Sequence, residues 1–90
     1  MTQAIEERGF TFPSMLEVSV MGKADDALEL LVPEILLGAG VSVVEGSLRT
    51  RLSREGHYRS VNVAFFCPDR ITYDNVHQAL RVHPAVKWTI

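Results

Sequence analysis

Alternation of apolar and polar positions opens the patterned part of the chain. Leu16, Val18 and Val20 are separated by Glu17 and Ser19, the period of a strand with one buried face. Leu28, Leu31, Val32 and Ile35 then fall at helical spacing, with Asp25 and Asp26 ahead of them as expected N-terminal caps and Gly38-Ala39-Gly40 as the stop. Pro33 lies inside this run. It deletes a helical hydrogen bond and crowds the preceding turn at about 3 kcal/mol, so a kink, or a break and restart at Pro33, is expected. Val43 to Ser53 reads as an extended run with Val44, Leu48 and Leu52 inward, Val43, Arg49 and Arg51 outward, and a bulge at Gly46. Arg54-Glu55-Gly56 turns the chain into its most apolar strand, Tyr58 to Cys67, with Val61, Val63 and Phe65 inward and Tyr58, Ser60 and Asn62 outward. Thr72 is expected to cap a second helix, stapled by Ile71 and Val76, whose inner stripe is Val76, Ala79 and Leu80 and whose stop is His83-Pro84. In the closing strand Val86, Trp88 and Ile90 are expected inward, Lys87 and Thr89 outward.

The order strand, helix, strand, strand, helix, strand predicts an α+β fold: a ferredoxin-like two-layer sandwich with both helices on one face of an antiparallel sheet. Right-handed crossovers give the sheet order 4-1-3-2. Residues 12–90 read as one domain, and residues 1–11 as a flexible N-terminal arm whose end Phe10 and Phe12 could tuck against the body. The uncovered sheet face would then carry Glu17, Ser19, Glu45, Arg49, Arg51, Tyr58, Ser60, Asn62, Lys87 and Thr89. Such a face is either a solvated surface or a partner or ligand surface.

Composition narrows the function classes. Ninety residues support one modest core, with no room for a second domain or a large enclosed active site. No apolar run approaches a membrane-spanning length. A net charge of −2 argues against nucleic acid, and the central strands lack the stacked aromatics of an RNA-binding sheet. The single cysteine, Cys67, excludes an internal disulfide, reads as a buried inert thiol, and fits a reducing, cytoplasmic location. His57, His77 and His83 lack the spacing of a metal site. Asp25, Asp26, Asp69 and Asp74 sit where helix starts use carboxylates, and no nucleophile elbow, phosphate loop or dinucleotide fingerprint occurs. The expectation is therefore a non-enzymatic module without cofactor or metal.

The hairpin Ser53 to Val61 is the most distinctive segment. Arg49, Arg51, Arg54, Tyr58 and Ser60 form the candidate ligand site there, because a guanidinium fork suits carboxylate or phosphate. An ordinary soluble turn is the alternative. At these residues the sequence resembles the YbeD-like family of small bacterial proteins of unknown function. Phe12-Pro13 before Leu16-Glu17-Val18-Ser19-Val20-Met21-Gly22, and the pattern Ser53-x-x-Gly56-x-Tyr58-x-Ser60-Val61, carry the resemblance. It implies a ferredoxin-like fold similar to the regulatory ACT domain, and a proposed part in regulating lipoate metabolism with no settled ligand. A homodimer that senses a small anionic metabolite is then the leading expectation. An adaptor docking on a partner enzyme through the open face or edge strand is the second, and a weak nucleic-acid binder the third.

Overall fold

A computed structural model describes the fold over residues 5–7 and 10–89. In chain order it contains strands β1 (Ile5–Glu7), β2 (Phe10–Phe12) and β3 (Ser14–Lys23), helix α1 (Leu28–Gly38), strands β4 (Ser42–Val43), β5 (Arg49–Leu52) and β6 (Tyr58–Cys67), helix α2 (Arg70–Val82) and strand β7 (Trp88–Thr89). β1 and β2 pair with each other in a separate ladder. Of the arm expected over residues 1–11, these strands are what the structure describes; residues 1–4, 8 and 9 lie outside it.

The main sheet is antiparallel and runs β4-β6-β3-β7, with β5 also on β6. β3 and β6 are its long centre, paired from Ser14 with Cys67 to Lys23 with Tyr58. Their alternation works as read from the sequence. Val18, Val20, Val61, Val63, Phe65 and Cys67 are buried on one face, where Leu28, Val32 and Leu36 of α1 and Val76 and Leu80 of α2 complete a single core. The molecule is thus an α+β domain with two helices over one side of an antiparallel sheet, compatible with a ferredoxin-like fold.

Local chemistry departs from the sequence expectations at several points. Asp25 and Asp26 do not cap α1. They lie in a short 3-10 turn, Ala24–Asp26, and the helix begins after Ala27, which has positive φ and makes no side-chain cap. The helix neither breaks nor restarts at Pro33, which stays inside one continuous element. At its end the Gly40 N–H donates to the Leu37 carbonyl and the Val41 N–H to the Leu36 carbonyl, with Gly40 at φ 93°. This is a Schellman motif, and it delivers Val41 into the core. For α2 the cap is Asp69, not Thr72: the Thr72 N–H donates to Asp69 Oδ1 at 2.8 Å. Ile71 is 73% exposed, so the Ile71–Val76 staple does not form.

The run from Val43 to Ser53 is not one strand. Residues 44–48 leave the ladder around Gly46 at φ 80°. The Ser47 hydroxyl bridges the gap, accepting from the Ala64 N–H at 3.0 Å and donating to the Val44 carbonyl at 2.7 Å. The interruption resets the phase, so Val43 pairs with Phe65 and points to the core instead of outward. β7 departs in the same way. A turn in which the Val86 N–H donates to the His83 carbonyl places Ala85 and Val86 against the core before the strand starts. Thr89 then pairs with Val20 on the helix side and Trp88 with Met21 on the open side. Trp88 was expected inward and Thr89 outward; both are reversed, and Ile90 lies outside the described residues.

Candidate functional site

Cross-strand partners share a face, so the register fixes what the bare side of the sheet shows. Along β3 it carries Met15, Glu17, Ser19 and Met21; along β6, Tyr58, Ser60, Asn62 and Phe66; along β5, Arg49 and Arg51; and from β7, Trp88. Arg49 stands beside Asn62 and Arg51 beside Ser60. The Trp88 ring meets the Tyr58 ring edge-on, with centroids 5.8 Å apart, and is 55% exposed. The face is therefore less polar than expected. An apolar cluster of Met21, Tyr58 and Trp88 lies at one end, and exposed Met15 and Phe66 at the other.

The five candidate residues are not equally placed. Arg49, Arg51 and Ser60 line one hollow of about 290 Å³, with Thr50 and Asn62. Arg51, Tyr58 and Ser60 share a smaller one of about 130 Å³ with Met21, Leu52, Ser53 and Arg59. Arg54 lies in the exposed turn beyond both, where the Gly56 N–H donates to the Ser53 carbonyl and Gly56 takes φ 77°. That turn is closed at its base by two hydrogen bonds. The Ser53 N–H donates to the Tyr58 carbonyl, and the Tyr58 N–H donates to the Ser53 hydroxyl.

The charges differ in their partners. Arg59, on the helix side, sits 3.7 Å from Glu29 Oε1 and donates to the Thr50 hydroxyl at 2.6 Å, tying α1 to β5. Arg49 and Arg51 make no ion pair among the described residues. Two uncompensated guanidinium groups beside a hydroxyl and an amide can accept a carboxylate or phosphate through charge-assisted bonds. The acid-base groups offer little else. Cys67 is buried, and burial pushes its thiol above the usual range. Asp69 lies below the usual carboxylate range because the Thr72 backbone N–H donates to it. Among the described residues no three His, Cys, Asp or Glu side chains gather into a metal-binding group, and no helix is long and apolar enough to cross a membrane.

Sequence reasoning found Phe66 at the far end of this face but missed Met15 and Met21, although the Glu17–Ser19 alternation extended outward reaches both. It missed the outward direction of Trp88 because the His83-Pro84 stop marks a turn without fixing the phase in which the chain enters β7.

The fold and the bare face define a small α+β domain with a single exposed sheet surface. Residues 7–90 match the family described as "Protein of unknown function (DUF493)". A UPF0250 protein of Stenotrophomonas maltophilia is 45% identical over 84 residues, spanning 93% of this chain and 91% of the relative. UPF0250 proteins of Xanthomonas campestris and Xylella fastidiosa share 43% and 45% identity over the same shares of both chains. The chain belongs to this family, the YbeD-like proteins that its hairpin resembles.

Proposed function

We propose that the chain is a non-enzymatic, cytoplasmic binding module that recognises an anionic group with Arg49 and Arg51 and acts by association, including with itself. The observation that carries this reading is the pair of arginines on the open face with no acidic partner among the described residues. Ser60 and Asn62 beside them supply neutral hydrogen-bonding groups, and Tyr58 an apolar wall. Taking β4 and β5 as one interrupted strand, we read the sheet as the ferredoxin order 4-1-3-2, as in the ACT domain, where small effectors bind at interfaces. Regulation of lipoate-related metabolism is one setting that this reading accommodates. Anything that binds only the folded chain raises its melting temperature by mass action.

Isothermal titration and thermal shift against lipoate, amino acids, dicarboxylates and phosphate test the proposal. At least one anion is expected to bind, to weaken as salt rises, and to lose most of its affinity in Arg51→Ala. If every anion leaves the melting temperature unchanged, or if Arg51→Ala binds as well as the parent, the site is wrong.

A further inference from the structure

β5 is an edge strand, and its free side can be worked out from its hairpin. The Ser53 N–H donates to the Tyr58 carbonyl, so this pair lies in a hydrogen-bonded position of the ladder. Antiparallel pairs alternate, which makes Arg51–Ser60 and Arg49–Asn62 hydrogen-bonded and Thr50–Val61 and Leu52–Arg59 not. The peptide groups of Arg49 and Arg51 are therefore spent on β6. Those of Thr50 and Leu52 point away from the sheet. All four residues of β5 are exposed, and the strand contains neither proline nor bulge.

Charge on an edge normally blocks pairing. Here it blocks selectively. A second copy of β5 laid alongside would crowd the arginines of both copies onto one face. An acidic strand would neutralise them. The hollows beside Arg49 and Arg51 are open, and at about 290 and 130 Å³ they lie at and below the lower end of the roughly 300–1,000 Å³ that encloses a drug-sized ligand. They fit a charged group whose carrier lies outside them.

Building on the anion reading above, we infer that the free edge of β5 pairs with an extended acidic segment of a partner protein, adding one strand to the sheet. The register specifies its pattern. Residues opposite Arg49 and Arg51 fall at non-hydrogen-bonded positions, where side chains approach most closely, and are Asp or Glu. The residue between them faces the helix side opposite Thr50, with Leu52 exposed next to it, and is apolar and β-branched. The recognised motif is acidic–apolar–acidic on an extended chain.

A fluorescein-labelled peptide containing Val-Glu-Val-Glu, which read antiparallel meets Leu52, Arg51, Thr50 and Arg49 in turn, titrated with the full chain by anisotropy, tests the inference. Binding is expected, and the Val-Lys-Val-Lys peptide should be at least about tenfold weaker. R49E combined with R51E, checked for folding by circular dichroism, should reverse that preference. N-methylation of the valine amides, which would bond Thr50 and Leu52, should abolish binding. N-methylation of the glutamate amides, which point to solvent, should leave it intact. Equal binding of both methylated peptides reduces the contact to charge alone and overturns the added strand, as does absence of peptide binding. Small dicarboxylates or phosphate binding where the peptide does not would leave the anion reading standing and remove this one. Failure of both removes both.

Discussion

His77 shows how one side chain couples packing to pH. It lies half-buried on α2, its ring 4.5 Å from that of Tyr73. Burial lowers its pKa below the ordinary 6.5, and nearby Arg81 lowers it further, against a smaller opposing pull from Asp74. The folded state thus binds the proton less readily than the unfolded chain. The sign follows from linkage: the contribution is complete above about pH 6.5 and is lost as the pH falls toward the folded value. Urea melts between pH 7.5 and 5 should show stability declining on acidification, and His77→Gln should flatten that decline. An unchanged slope in His77→Gln would assign the dependence to another group. The sequence placed His77 on a helix but said nothing of this, because its burial depends on how α2 lies on the sheet.

Of the described glycines, Gly22 is the one where other elements leave no room for a side chain. A Cβ there would strike the Ala85 carbonyl oxygen and lie 2.8 Å from Leu28 Cδ1. Glycine lets β3 approach both the first turn of α1 and the loop after α2. Gly22→Ala is therefore expected to destabilise the fold by about 3 kcal/mol, read as a lower urea midpoint at constant m-value. A change within about 0.5 kcal/mol would mean that the loop moves aside freely. The same scale shows where sequence reading works. β3 and β6 were legible because long, strict alternation admits only one phase. The phase of β5 came out as read, with Arg49 and Arg51 outward, but those of β4 and β7 did not, because a strand of two residues takes its phase from the turn beside it. The helix starts failed for a related reason. Asp25-Asp26 and Asp69 resemble each other in sequence, but Asp69 takes the N-cap position and accepts from the Thr72 N–H, whereas Asp25 and Asp26 fall in the 3-10 turn before Ala27.

At the level of the whole molecule, one sheet side is closed by helices and the other, among the described residues, is bare. Trp88, the single tryptophan of the chain, stands on the bare side and reports on it. If the chain self-associates through this face, Trp88 loses water. Its emission should shift to the blue and its acrylamide quenching should fall as concentration rises, in step with the mass from sedimentation equilibrium. Dimerisation without any change at Trp88 would place the contact elsewhere. A strand added at β5 makes a different demand: it lies beyond Arg49 and Arg51, on the side of the sheet away from β7, and leaves Trp88 exposed.

The candidate site was legible in part. Arg49, Arg51, Tyr58 and Ser60 share the open face as their alternation implies, while Arg54 stays at the tip of the turn. By itself the sequence determined the order of strands and helices from β3 onward, short of the break between β4 and β5, the two central strands and the core they share with the helices, because burial imposes a period that the chain must repeat. Tertiary structure alone decided that Trp88 faces out, that Val43 faces in, and that among the described residues Arg49 and Arg51 go without an acidic partner while Arg59 finds Glu29. Those outcomes depend on how the turns reset each strand and on which residues distant along the chain are brought together, and no local period encodes either.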